Sequence, residues 1–225
     1  GLLDLLSFLL NWTNAVILFL ILHTFLSVRK NLALQIAAVL SGPWLFNAVV
    51  YSNDLPGVLW TLLGFILYIA VFFRGRRMEK LTAVLVFYPA VIAVNYLVQD
   101  TGCRLFFGLV GADGDAYDEW TYRILFLSTL IHTCFLLLRS LFWLFSWLCL
   151  MKYMKQITEN LSLRMWMIVD ILLIAPAVSI YTVIYFMPEE AVIVYPVCGA
   201  AIFSSFGGIY LAAYISNALR TEYGA

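Results

Sequence analysis

The sequence predicts an all-α polytopic membrane protein, a single domain over residues 1–225 built as a bundle of seven transmembrane helices. Hydrophobic residues make up 64% of the chain and charged residues 12%, with a mean hydropathy of +0.96. A water-soluble domain carries about 25% charged residues. The seven spans are predicted at residues 5–28, 32–51, 58–73, 81–98, 123–151, 165–187 and 191–216.

The distribution of charge predicts the orientation of these spans. Ten of the thirteen Lys and Arg residues lie in every second connection or at the C-terminal end, whereas the other connections carry nine of the thirteen acids. Cytoplasmic loops of inserted chains accumulate Lys and Arg. The sequence therefore predicts an integral membrane protein with its N-terminus outside and its C-terminus in the cytoplasm.

The first four spans are separated by short connections. Arg29 and Lys30 stop the first span, and the second contains Gly42-Pro43, a pair that favours a kink. A run of turn-forming residues at 52–57 leads into the third span. The fourth span follows the basic run around Arg76 and includes Pro89.

The longest connection, predicted at residues 99–122, holds a cluster of acids and separates the fourth and fifth spans. The fifth span would be about 43 Å long at about 1.5 Å per residue, so it must tilt in or protrude from a hydrocarbon layer of ~30 Å. The sixth span includes Pro176, and a tight turn around Pro188 connects it to the seventh.

Two charged residues lie inside the predicted spans and are candidates for a ligand-binding or switch role. Arg139 is near the middle of the fifth span, and Asp170 is six residues into the sixth. A charge at this depth requires a partner within the protein or water. Two interpretations follow: a structural ion pair between Arg139 and Asp170, or a two-state latch that ligand binding opens.

A polar stripe on the fifth span adds a third candidate. Ser128, His132, Arg139 and Ser146 are spaced by four, seven and seven residues, which places them on one side of a helix. His132 has an imidazole that titrates near neutral pH in its ordinary state. It is interpreted either as a ligand contact or as a hydrogen-bonded packing residue.

The acidic connection supplies the remaining ligand candidates. It has the Asp and Gly content of a calcium loop but lacks the Glu in the twelfth position, so no metal site is expected. An anionic outer rim suits a cationic peptide or a small molecule. The candidate acids are Asp113, Asp115, Asp118 and Glu119.

The seventh span has small residues at four-residue steps. This spacing lets two helix backbones approach closely, either within one subunit or across a homodimer. The residues of this seam are Ala200, Ser204, Gly208, Ala212 and Ser216.

No catalytic residues, metal site or cofactor are predicted. The chain contains no HExxH, GxSxG or Walker A motif, and the seventh span has no lysine for a retinal Schiff base. The net charge is zero, so no global field favours nucleic acid. The expected partners are the lipid bilayer, an extracellular peptide or small molecule, and a second copy of the chain.

The layout resembles the membrane input domain of bacterial sensor histidine kinases with a GHKL-type ATPase module, a class that includes peptide-pheromone receptors. The likeness lies in the strings at 72–81 (FFRGRRMEKL), 161–166 (LSLRMW) and 214–220 (YISNALR), together with the hydropathy rhythm of the whole chain. The resemblance implies a dimeric, two-component signal transduction receptor whose last span passes a ligand signal to a cytoplasmic kinase.

The chain departs from that family in lacking a phospho-acceptor His-Asp string, a nucleotide-binding Asn motif and a Gly-rich lid. No enzymatic activity is therefore expected of these residues. A sensing domain is the leading hypothesis for function. A small-solute transporter or channel is the alternative, because buried charges and proline-containing spans are also found in transport proteins.

Overall fold

The computed structural model describes residues 1–49, 54–110, 122–160, 162–186 and 191–224, and these residues form an almost entirely helical chain. The helices are α1 (Leu2–Phe25), α2 (Leu32–Phe46), α3 (Leu55–Phe72), α4 (Arg77–Val110), α5 (Tyr122–Asn160), α6 (Leu163–Phe186) and α7 (Ala191–Tyr223). Two short strands are β1 (Ser27–Val28) and β2 (Phe73–Arg74).

Six of the described helices are long and apolar enough to cross a membrane. Many large apolar side chains lie on the surface of the chain, which is consistent with helices in contact with lipid. These helices indicate an integral membrane protein. The prediction of an all-α fold is therefore confirmed, with six helices that could span a membrane.

The second predicted span is shorter than expected. Helix α2 has 15 residues and ends at Phe46, so it extends only about 22 Å, less than a hydrocarbon layer of ~30 Å. It contains Pro43, whose ring has no N–H to donate within a helix. The carbonyls at the buried C-terminal end of α2 find a partner on another helix, because the Asn95 side-chain amide donates to the Phe46 and Ala48 carbonyls at 2.8 and 2.9 Å.

The predicted connection at 99–122 is largely helical where it is described. Helix α4 continues to Val110, and α5 begins at Tyr122. Arg104 donates to the Asp100 carboxylate at 2.8 Å one helical turn away, an i,i+4 pair that supports the extension. The sequence prediction ended α4 at residue 98 because polar residues begin there, but polar residues also continue a helix beyond a bilayer.

Helix α4 is the central helix of the bundle. Buried residues lie on all of its sides between Thr82 and Tyr96, and it packs against α3, α5, α6 and α7. Helix α1 packs mainly against α5 and α2. A helix that is apolar all round is expected in the interior of a bundle, whereas the flanking helices bury one side only.

The two strands pair in an antiparallel arrangement that sequence analysis did not predict. Ser27 lies opposite Arg74 and Val28 opposite Phe73, so the α1–α2 and α3–α4 connections are joined. The next residue continues the pairing, with the Arg29 N–H donating to the Phe72 carbonyl at 3.1 Å. Gly75 then takes a φ of +157°, and a Cβ there would approach the Glu79 carboxylate and the Leu26 side chain to 3.1 Å.

Candidate functional site

Arg139 lies at the centre of a cluster of asparagines contributed by three other helical segments. Its guanidinium donates to the Oδ1 atoms of Asn11 on α1 at 2.8 Å, Asn47 at the end of α2 at 2.9 Å, and Asn95 on α4 at 3.2 Å. Only 3% of Arg139 is exposed. The interactions connect α5 to α1, α2 and α4, and we call these residues with Asn14 the arginine–asparagine cluster.

The asparagines of this cluster are themselves held in place. The Asn14 amide donates to Asn47 Oδ1 at 2.8 Å, and the Asn47 amide donates to the Asn11 carbonyl at 3.1 Å. Asn47 Oδ1 thus accepts two hydrogen bonds, the full capacity of an amide oxygen. The Asn47 and Asn95 side chains are therefore held in place by further hydrogen bonds in addition to those from the guanidinium.

The expected ion pair between Arg139 and Asp170 is absent. The ion pairs within the described residues join the N-terminus to Asp4 and Arg104 to Asp100. Asp170 accepts instead from the Thr82 hydroxyl of α4 and is 4% exposed, and its Oδ2 has no hydrogen-bond partner in the described part of the chain. Arg139 is on the α1, α2 and α4 side of α5, where amide oxygens surround it. A direct ion pair between the two residues therefore does not form in this conformation.

A cavity of about 240 Å³ lies between α4 and α5 on the side of the bundle where α4 ends and α5 begins. It includes two of the stripe residues of α5, Ser128 and His132, while Arg139 is not part of its wall. Polar groups from α4 face them. The α4 residues in the wall include Gln99, Gly102 and Cys103.

Helix α4 is also tied to α7 at the level of this cavity. The Tyr195 hydroxyl of α7 donates to the Asp100 carboxylate at 2.5 Å, and it lies 3.2 Å from the Thr101 hydroxyl. The Asp100 carboxylate is shared with Arg104. We call this group the α4–α7 tie. Gln99 and Gly102 are in the cavity wall, so the same helical turn carries both the wall and the tie.

Polar contacts also run along the α1–α5 interface. The Ser7 and Thr133 hydroxyls are 2.7 Å apart, and the Trp147 indole donates to the Thr24 hydroxyl at 3.4 Å. Between them lies the Asn11–Arg139 contact. The predicted stripe on α5 is thus only partly interior, because Arg139 and Ser146 are buried while His132 is exposed.

The small-residue seam of α7 divides between two environments. Ala212 and Ser216 are buried inside the chain, and a Cβ at Gly208 would lie 3.6 Å from the Leu173 side chain of α6. Ala200 and Ser204 are exposed. The second half of the seam therefore serves packing within the subunit, and only the first half is open to another chain.

The remaining predicted ligand residues, Asp113, Asp115, Asp118 and Glu119, lie outside the described residues. Within the described ranges, no group of three His, Cys, Asp or Glu residues could hold a metal ion. The described residues instead supply hydrogen-bonding groups in the wall of the α4–α5 cavity and, outside that wall, one buried cation, Arg139.

Asn47 and Asn95 were expected to form hydrogen bonds between helices, and they do so. The α4–α7 tie and the convergence of the asparagines on Arg139 were not predicted from the sequence. The asparagines at 11, 14, 47 and 95 all lie in or at the ends of apolar segments. This position alone predicts that they form hydrogen bonds to other helices, because polar side chains within the membrane find partners in the protein. Their convergence on one arginine depends on the packing of four segments. Tyr195 carried no signal, because tyrosines are common at membrane interfaces.

Comparison with known proteins gives no relative: no family model, curated protein or solved structure matches this chain.

Proposed function

We propose that this chain is a membrane-embedded signal-sensing domain, with an extracellular ligand received at the end where α4 and α5 meet. In this proposal the signal passes through α7, the last helix, to a cytoplasmic output module. The seven crossings, the outside N-terminus and the bacterial plasma membrane belong to the same proposal. The ligand is a peptide or small molecule that the polar groups of the α4–α5 cavity can bind.

The observation that carries this proposal is the position of the α4–α7 tie beside the cavity. One turn of α4 presents Gln99 and Gly102 to the cavity and Asp100 to Tyr195 of α7. A ligand that displaces this turn changes the contact with α7 directly. Shifts of about 1–2 Å between packed helices are a common form of signal transmission.

The form of α7 supports a relay role. It is one continuous helix of 33 residues, about 50 Å long, and it extends from the tie to Tyr223 at the opposite end of the bundle. A hydrocarbon layer of ~30 Å leaves several turns outside. Pro196 follows Tyr195 directly and removes one backbone hydrogen bond near the tie, and the rest of the helix continues to Tyr223 without another proline. A displacement at the tie can therefore be carried along α7.

Filling the cavity tests the relay without knowledge of the ligand. Gly102→Leu places a side chain in the cavity wall beside Phe135, where a Cβ alone would lie 3.6 Å from the Phe135 ring. We expect it to shift the distance between spin labels at Thr221→Cys and Arg76→Cys by about 1–2 Å. Double electron–electron resonance in reconstituted bilayers, with the four native cysteines replaced by alanine, measures this distance.

The matched control is Gly108→Leu on the same helix, where a Cβ would have nothing within 4 Å. It should leave the label distance unchanged. Tyr195→Phe removes the hydroxyl of the α4–α7 tie and should abolish the effect of Gly102→Leu. Equal distances in the Gly102 and Gly108 variants, or a shift that persists without the Tyr195 hydroxyl, would contradict the relay.

A small-solute transporter or channel is the second candidate, favoured by the buried charge of Arg139, which has no carboxylate partner within the residues that the structure describes. An anionic solute would supply the missing negative charge. The transporter hypothesis predicts that proteoliposomes containing the protein take up a radiolabelled mixture of organic anions. It also predicts that this uptake is lost in Arg139→Ala. The sensing domain predicts no flux in either protein, so the same assay separates the two candidates.

A homodimer remains part of the sensing proposal. Its supporting feature is the exposed first half of the α7 seam, at Ala200 and Ser204, where Gly199 and Gly207 also leave open space. Small side chains on one helix surface permit close approach of a second helix.

A further inference from the structure

The basic end of the bundle has an unusual concentration of unneutralised charge. The connections from α1 to α2 and from α3 to α4, with the first turn of α4, carry six cations and a single acid, Glu79. Among the described residues none of these side chains forms an ion pair. The cations are Arg29, Lys30, Arg74, Arg76, Arg77 and Lys80.

The β1–β2 pairing holds the two connections against each other despite their like charge. Ser27 is paired with Arg74, and the backbone of Arg29 continues the ladder to Phe72. The Arg29 guanidinium donates to the Ala70 carbonyl at 3.2 Å and so is directed toward the end of α3. Like charges held together by backbone hydrogen bonds create a local positive potential that a bound anion would relieve.

A cavity of about 780 Å³ opens beside this pairing. Its polar wall includes the cations Lys30 and Arg74 and the hydroxyl-bearing Ser27, and its apolar wall includes Leu26 and Met151. The wall therefore combines cationic and apolar side chains. That combination suits an amphiphile with an anionic head and a hydrocarbon tail.

The single acid of the cavity is already engaged. The Glu79 carboxylate accepts from the Arg76 backbone N–H at 3.2 Å, an interaction that orders the start of α4. It neutralises one charge at most, so Lys30 and Arg74 remain as donors. Arginine binds phosphate oxygens in a bidentate manner, and lysine contributes a point charge.

We infer that this cavity is a binding site for the headgroup of an anionic phospholipid from the leaflet at the basic end of the bundle. Lys30 and Arg74 contact the phosphate, and the first part of an acyl chain lies against Leu26 and Met151. The tendency of cytoplasmic loops to be basic accounts for the presence of the cations. That tendency does not explain why the two connections are joined by backbone hydrogen bonds beside a cavity that has both cationic and apolar side chains in its wall. A binding site for a lipid headgroup and acyl chain has this combination.

The test measures thermal unfolding of the purified full chain in a neutral detergent, with phosphatidylglycerol, phosphatidylcholine or inorganic phosphate added. A ligand that binds only the folded state raises the midpoint temperature in a concentration-dependent way. We expect phosphatidylglycerol to raise it and the other two to have little effect. Lys30→Gln with Arg74→Gln should weaken the apparent phosphatidylglycerol affinity roughly fivefold per cation removed.

Arg77→Gln with Arg164→Gln is the matched control, because it removes two exposed cations from the same end of the bundle but outside the cavity wall. This variant should retain most of the phosphatidylglycerol effect. Equal losses in the two double variants would mean a diffuse surface field and would overturn the site. So would a rise of equal size with phosphatidylcholine, or full competition by inorganic phosphate. Each variant is compared with its own lipid-free midpoint, and Lys30→Gln alone provides the measurement if the double variant unfolds.

Discussion

Asn95→Leu is expected to destabilise the bundle by about 2–4 kcal/mol. The substitution removes one acceptor of the Arg139 guanidinium and the donor that satisfies the Phe46 and Ala48 carbonyls at the end of α2. Each buried polar group without a partner costs about 1–3 kcal/mol, with smaller values usual inside membranes. Unfolding by sodium dodecyl sulfate in mixed micelles, followed by circular dichroism, measures the change.

A double-mutant cycle shows whether the stability lost in Asn95→Leu reflects its interaction with Arg139. Arg139→Met removes the charge while retaining most of the side-chain volume. The double variant should lose about 1–2 kcal/mol less free energy of unfolding than the sum of the two single losses. Thr182→Val is the control, since that hydroxyl contacts only the Val178 carbonyl of its own helix and is exposed. Strict additivity of the two cluster substitutions would contradict a coupled arginine–asparagine cluster.

Thr82→Val is expected to cost about 1–3 kcal/mol, because it removes the hydroxyl that donates to the Asp170 carboxyl group across the α4–α6 interface. Valine has nearly the volume of threonine, so packing is preserved and the loss reports the hydrogen bond. The same unfolding assay measures it, in native chain and in an Asp170→Asn background.

The Asp170→Asn background distinguishes a charged interaction from ordinary packing. An amide leaves a smaller desolvation penalty than a carboxylate when its partner is removed, so Thr82→Val should cost less there. Identical costs in both backgrounds would show that the Asp170 charge does not contribute. Thr129→Val, whose hydroxyl contacts only the Leu125 carbonyl on its own helix, controls for the loss of a hydroxyl.

Much of the fold followed from the sequence, because hydrophobic runs near membrane length specify helices almost alone. Six of the expected spans correspond to helices that could cross a membrane, with bounds displaced by a few residues at α1, α3 and α6. The larger differences occur at α2, α4, α5 and α7. Hydropathy locates the edge of an apolar run, whereas a helix ends where its backbone groups find other partners.

The candidate site was predicted only in part. Arg139 and Asp170 were identified from their charge alone, since an ionised group in an apolar span is expensive and therefore conspicuous. The sequence left open whether the two residues pair with each other, and in the structure they do not. Arg139 is directed toward α1, α2 and α4, and Asp170 toward Thr82 of α4.

The amino-acid sequence by itself determined the helical class of this protein, because long apolar runs form helices that satisfy their own backbone hydrogen bonds and are suited to a membrane. Only the tertiary structure decided which groups meet. The asparagines around Arg139, the Asp100–Tyr195 contact and the joining of two basic connections each bring together residues more than 40 positions apart. Such contacts depend on how helices are arranged around α4, and local periodicity does not encode that arrangement.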